Sequence, residues 1–170
     1  MKIVKKLLQF AGIISLALAV IAFVLMMVTN AMTVSGILGD YVVGGTSAIF
    51  GHQSTGLLDP DLKLAPLALI GWILVLVGLI VVLLGVVLPL LKINALEKFS
   101  GILDIVALVC FVLGGIFMFV VIPSFASANE WNTTDGVTIG AGWVIGGILF
   151  IVAGAFAILP AAAAFLGKKK

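Results

Sequence analysis

Four long runs of apolar residues alternate with three more polar stretches along the chain. The apolar runs cover residues 7–29, 67–91, 102–122 and 139–166, and the polar stretches cover 30–66, 92–101 and 123–138. Breaks within the runs are few. Gln9, Gly12 and Ser15 interrupt the first, glycines with Trp72 and Pro89 the second, Asp104 is the single charge of the third, and the fourth has none. A helix crossing a hydrocarbon core of roughly 30 Å needs about 20 mostly apolar residues, and each run is long enough. An open strand in lipid would leave backbone N–H and C=O groups unpaired, so helices are the expected form. The pattern predicts an all-α membrane protein, a single domain over 1–170 built as a four-transmembrane-helix bundle.

The first polar stretch, 30–66, is the longest. Within it Tyr41-Val42-Val43 and Thr46-Ser47-Ala48-Ile49-Phe50 flank Gly44-Gly45. Adjacent glycines supply the positive φ angles of a two-residue hairpin turn, so a small β-hairpin is expected in this first extracellular loop. A lone hairpin is marginal in water and must lean on the helix ends or on another subunit. Leu58-Asp59-Pro60-Asp61 reads as a turn, and Asn129-Glu130-Trp131-Asn132 forms the polar centre of the second outer loop.

Charge sets the expected orientation. The chain has nine lysines and no arginine. Lys2, Lys5 and Lys6 precede the first run, Lys92 and Lys98 lie between the second and third, and Lys168, Lys169 and Lys170 close the chain. Basic residues gather on the cytoplasmic side of membrane proteins. This predicts a multi-pass protein of the cell membrane with cytoplasmic N- and C-termini. Lys63 falls on the opposite side, among Asp40, Asp59, Asp61, Glu130 and Asp135. Trp72, Trp131 and Trp143 all fall near that outer side, where an interfacial belt of aromatics is expected. The first run exceeds the 7–15 residues of a signal-peptide core, which favours an uncleaved first helix.

Composition excludes a soluble globule. Hydrophobic residues make up 64% of the chain and charged residues 9%, against roughly 25% charged in soluble domains, so the exterior must face lipid. The net charge of +2 comes from the orienting lysines and gives no reason to invoke nucleic acid. Cys110 is the single cysteine, so no intrachain disulfide ties the loops.

Small residues recur along the runs. Gly71, Gly78 and Gly85 repeat every seven residues, as do Gly140, Gly147 and Gly154, and seven residues return a helix to nearly the same face. Ala11, Ser15 and Ala19 mark the first run, Ala107, Cys110 and Gly114 the third, and Gly142 with Gly146 forms a GxxxG pair. Such faces let membrane helices approach closely. They predict one compact bundle, or a bundle with one stripe turned outward to build an oligomer. The halves also resemble each other. Phe10-Ala11-Gly12-Ile13 matches Phe99-Ser100-Gly101-Ile102, and Gly71-Trp72 with Leu88-Pro89 matches Gly142-Trp143 with Leu159-Pro160. This is the signature of two tandem hairpins, although the glycine stripes superpose in a different register.

Candidate chemistry is sparse. Asp104 is the one ionisable residue inside a run, favoured near a helix N-terminus by the dipole, with Lys98 as a partner; a part in ion movement is the alternative. His52 shares its loop with Asp40, Asp59 and Asp61, a thin basis for a metal site. No second intramembrane carboxylate, histidine or lysine completes a relay, and no hydrolase or phosphate-binding motif is present. No cofactor and no enzyme activity are expected. Asn132-Thr133-Thr134 matches a glycosylation acceptor pattern.

Four spans, cytoplasmic ends, a longer first outer loop with strand-forming segments and a short second loop together resemble the claudin-like tetraspan arrangement. The resemblance is one of architecture. Residues 30–65 contain neither Trp nor Cys, so no site residue is implied by it. The expected role is structural or protein-interacting in the cell envelope, with the lipid bilayer and either further copies or a larger membrane protein as partners. An oligomeric channel or an accessory subunit of a transport complex is the alternative.

Overall fold

The computed structural model describes residues 2–36, 39–54, 61–90 and 100–167. In chain order these form α1 (Lys2–Val28), β1 (Asn30–Gly36), β2 (Gly39–Gly44), α2 (Gly45–Phe50), α3 (Pro66–Leu90), α4 (Ser100–Phe119), α5 (Val121–Ala128), β3 (Val137–Ile139) and α6 (Ala141–Gly167). Four helices are long and apolar enough to cross a membrane, over Phe10–Val28, Pro66–Val87, Gly101–Phe119 and Ala141–Pro160. Most of the expected inner loop, 92–101, and most of the turn expected at 58–61 lie outside the described residues.

The buried positions explain why these helices assemble. In α3 they are Ala68, Gly71, Val75, Gly78 and Val82; in α6 they include Trp143, Gly147, Phe150, Gly154 and Ala157. In α1 they are Ala11, Ser15, Ala19, Ala22 and Met26. Steps of three and four keep one stripe of each helix on its neighbours, the spacing of bundles that pack knobs into holes. The other faces are apolar as well: Ile13, Val20, Ile80, Ile105 and Ile148 are among the many exposed aliphatic side chains. A helix that is hydrophobic all round is suited to a deep core or a bilayer, not to water.

Helix α6 is the centre of the assembly. Its seams with α4 and α1 are the most extensive, α3 packs on α4, and the α1–α3 seam is the sparsest of the four. Ser15 Oγ donates to the Ala153 carbonyl at 2.7 Å and the Trp143 indole donates to the Met26 carbonyl at 3.1 Å. Both bonds lock α1 antiparallel to α6. Bulky groups fill the interior: Trp143, Phe111, Phe125, Phe150, Met26 and Met118 are fully buried, and the Phe111 and Phe150 rings stack with centroids 6.1 Å apart.

The two glycine stripes have divided duties. A Cβ on Gly78 would stand 2.7 Å from the Phe111 ring, and one on Gly71 would stand 3.1 Å from Phe117 Cβ, so both face α4. Gly147 and Gly154 face α4 from the other side, against Phe119 and Leu108. Gly85 and Gly140 leave these seams. A Cβ on Gly85 would meet nothing within 4 Å, whereas Gly140 abuts the Asn30 carbonyl, in the loop region. A close backbone approach also involves a residue outside the stripes: a Cβ on Gly115 would lie 2.7 Å from the Gly147 carbonyl oxygen. The matched Gly-Trp pairs of the two halves are not equivalent in surroundings. Trp143 is fully buried and Trp72 only partly so.

The hairpin is present but differs from the expected one. Residues 46–50 are helical, in α2, and β2 pairs instead with β1 in antiparallel register, from Asn30↔Gly44 through Val34↔Tyr41 to Gly36↔Gly39. Gly44 is extended, with φ −67° and ψ 157°, so the glycine pair makes no hairpin turn. Gly45 is there for proximity, because a Cβ would collide with the Met26 carbonyl oxygen. Ala48 and Ile49 are then fully buried, an amphipathic arrangement that a strand, alternating its faces, would not give. The outer loop expected at 123–138 also differs. It begins as α5, which continues α4 after a break at Val120. Pro123 lacks the N–H that would bond the Phe119 carbonyl, and its ring crowds that carbonyl. Burial of Phe125 and Ala126 holds α5 in place beyond the break.

Replacing glycine by alanine at two positions separates packing from propensity. Gly115→Ala should destabilise the bundle by about 1–3 kcal/mol through overpacking. Gly85→Ala, in open space, should be neutral or gain up to about 1 kcal/mol of helix propensity. Unfolding titrations of the two proteins in mixed micelles give the comparison; equal effects would refute the seam assignment.

Candidate functional site

The described parts of the first and last polar stretches, 30–66 and 123–138, converge at one end of the bundle into a single cap. Strand β1 follows α1 after Thr29, and β3 precedes α6 by Gly140. The antiparallel pair α1–α6 therefore continues upward as the antiparallel pair β1–β3, in register Met32↔Ile139, Thr33↔Thr138 and Val34↔Val137. The Gly140 N–H bonds the Ala31 carbonyl at 2.8 Å at this junction. With β2 on the other side of β1, the sheet order is β2-β1-β3.

The alternation of side chains gives the sheet two unlike faces. Met32 and Val43 are buried, and Tyr41, Val137 and Ile139 pack against the core. The opposite face carries Val42, Thr33 and Thr138 in one row and Asp40 beside Ser35 in the next. Of these, Val42, Thr138, Asp40 and Ser35 are exposed.

Helix α2 is wedged between α1 and α3, where those helices meet least. The Gly45 N–H bonds the Thr29 carbonyl at 2.9 Å, and the Ala65 N–H bonds the Ala48 carbonyl at 2.8 Å. Beyond α2 the chain folds back, and His52 and Leu62 exchange both backbone hydrogen bonds at 2.8 Å.

A second clasp joins the segment before α3 to α5 and the turn that follows it. Asn129 Oδ1 accepts from the Lys63 N–H at 2.7 Å, while Asn129 Nδ2 donates to the carbonyls of Lys63 and Phe125 at 3.0 and 2.9 Å. The Leu67 N–H bonds Ser124 Oγ at 3.0 Å, and Lys63 Nζ meets Glu130 Oε1 at 2.7 Å. Glu130 has a left-handed φ of 57°. The Trp131 N–H reaches the Ala126 carbonyl and the Glu130 N–H reaches Ser127, the bonding pattern that closes a helix C-terminus. Glycine usually takes this left-handed position, because a Cβ there is strained. Glu130 accepts the strain and gains Lys63. The lysine's hydrogen bond and charge hold the Glu130 carboxyl below the usual carboxylate range.

The residues suggested by sequence fall in separate places. His52 lines an open cleft of about 510 Å³ with Gln53, Ser54, Asp61, Leu62, Lys63 and Asn129. Asp61 Oδ1 accepts the Ser54 N–H there. Asp40 sits on β2 and does not line the cleft, and Asp59 lies outside the described residues. Among the described residues no three His, Cys, Asp or Glu side chains gather as a metal site would require. Asp104 is half-buried in the first turns of α4, at the end remote from the sheet, and is engaged in an interaction; Lys98 lies outside the described residues. Cys110 is buried on the face of α4 that Gly78 approaches. Asn132, Thr133 and Thr134 are exposed on the cap. The interfacial belt expected of the three tryptophans is corrected for one of them. Trp143 is fully buried, because its indole N–H satisfies the Met26 carbonyl where α1 ends. The sequence marked Asn129 only as part of the polar centre 129–132 and did not mark Ser124, since an Asn side chain bridging two loops leaves no local pattern.

The chain matches no protein-family model and no curated protein.

Two substitutions at Glu130 test the clasp. Glu130→Gly should raise stability, since relief of the left-handed strain outweighs an exposed ion pair. Glu130→Gln should lower it slightly, losing the pair while keeping the strain. A lowered carboxyl pKa favours the folded state above the ordinary carboxylate range and loses that contribution as pH falls through the folded value. The protection of the Lys63 amide, its exchange rate relative to that of an unstructured chain at the same pH, should therefore fall on acidification in the wild type and much less in Glu130→Gln. Asn129→Ala, which removes neutral hydrogen bonds, should cost about 1–2 kcal/mol.

Proposed function

We propose that this chain is a four-span integral protein of the cell membrane whose cap stands on the outer side, and that its role is structural: it binds another membrane protein or further copies of itself. The observation that carries the reading is the fusion of two separate loops into one body. Strand pairing β1–β3 and the Asn129 clasp hold that body rigid above helices whose outward faces are apolar. A preorganised, exposed surface loses little freedom on binding, which favours recognition.

Orientation follows from charge. Lys2, Lys5 and Lys6 open α1, Lys92 and Lys98 fall in the sequence between α3 and α4, and Lys168, Lys169 and Lys170 come after α6, and basic segments are retained in the cytoplasm. The arrangement remains similar to the claudin-like one: a first loop with a strand hairpin, and a short second loop. Ion conduction along the bundle axis is disfavoured by the aromatic and methionine side chains that fill it, so a channel reading requires a path between copies.

Photo-cross-linking from position 42 on the outer face of the sheet, in native membranes, should capture one discrete partner or a second copy. A chain that stays monomeric and yields no adduct would overturn the interaction role. Proteolysis of sealed cells should reach the cap and spare the termini.

A further inference from the structure

The three tryptophans occupy three different surroundings. Trp143 is fully buried and hydrogen-bonded to α1, and Trp131 packs edge-on against Phe125 in the cap, with centroids 5.3 Å apart. Trp72, in the second turn of α3, is partly buried, and Phe50 meets it edge-on at 5.1 Å. Phe50 is the last residue of α2 and is 48% exposed. Along α3 beyond Trp72 the exposed side chains among the described residues are Ile73, Val77, Ile80, Leu83 and Leu84, all apolar. In the other direction, after Phe50, come Gly51, His52, Gln53 and Ser54, all half-buried or exposed. The aromatic pair thus marks the line where an all-apolar flank gives way to the polar cap.

We infer that Phe50 and Trp72 form a lipid-binding element that seats α2 at the boundary between the headgroups and acyl chains of the outer leaflet. The inference rests on the bilayer-spanning reading above and adds a named contact with phospholipid. Aromatic rings are enriched at that boundary; here the exposed Phe50 ring and the partly buried Trp72 ring would meet it, while Trp72 Nε1 is turned into the protein. Lipid is the occupant because the Phe50 ring meets Trp72 at the start of the aliphatic flank of α3, a helix long and apolar enough to cross a membrane. The element also has a mechanical consequence. Because α2 is wedged between α1 and α3 and bonded to Thr29 and Ala65, the depth of Phe50 sets the height of the whole cap above the bilayer.

Spin labels at three positions of the full chain in phospholipid bilayers test this. Val42→Cys, Phe50→Cys and Ile80→Cys are each placed in a Cys110→Ala background. Collision with dissolved oxygen is compared with collision with a water-soluble nickel chelate. Position 42 should report water, position 80 deep lipid, and position 50 an intermediate oxygen-to-nickel ratio. A position 50 as aqueous as position 42, with position 80 still in lipid, would overturn the anchor and leave the spanning reading intact. An aqueous position 80 would overturn both. The wild type, free of any folding penalty from labelling, gives an independent reading in vesicles whose lipids carry bromine near the top of the acyl chain. Tryptophan quenching should be strong, and Trp72→Phe should abolish the larger part of it. Unchanged quenching in Trp72→Phe would count against the element.

Discussion

Helix α6 runs between α1 and α4, and its backbone is approached closely from both sides. The Gly147 carbonyl faces Gly115 of α4, and the Ala153 carbonyl accepts the Ser15 hydroxyl of α1. In lipid, helices gain little from hiding apolar side chains from one another, so contact of this kind, made where side chains are absent or small, must supply the association. The cap depends on it. With α1 and α6 antiparallel and in contact, Thr29 meets Gly142 and Asn30 meets Gly140, and the chain segments beyond them have no choice of register. They pair as β1 and β3. The sheet is an extension of a helix seam, which is why three residues of β3 suffice to hold a strand that would be too short by itself.

The same geometry explains the two kinds of adhesive in the cap. On the α1–α6 side the backbone does the joining, through strand pairing and the Gly140 bond. On the α3–α5 side no strands pair among the described residues of the two segments, and a side chain takes over: Asn129 uses both ends of its amide, with Ser124 and the Lys63–Glu130 pair beside it. Glu130 keeps a strained left-handed backbone that glycine would adopt without cost. An exposed ion pair is weak compensation for that strain, so the retained carboxylate gives the rim of the cap a charge that folding alone does not require. Together with the polar row on the exposed face of the sheet, this leaves the cap polar above a bundle whose described interior is filled by apolar side chains.

Much of the architecture was legible in the order of residues. Four apolar runs of sufficient length, with lysines at one set of ends, already dictate four long helices, because run length and hydropathy are properties of contiguous residues. The small residues at Gly71, Gly78, Gly147 and Gly154 were likewise visible, since one helix face returns every seven positions. Other features depended on residues far apart in the chain. Gly44-Gly45 looked like a turn, yet Gly45 is glycine because the carbonyl of Met26 passes close by. Residues 46–50 looked like a strand, yet a slot between α1 and α3 buries Ala48 and Ile49 as a helix. Trp72 and Trp143 share a local motif, yet one borders the apolar flank and the other closes on Met26, 117 positions away. Local composition reports which solvent a segment prefers. Which backbone group it touches there is set by the packing of helices distant in sequence, and no stretch of neighbouring residues records that.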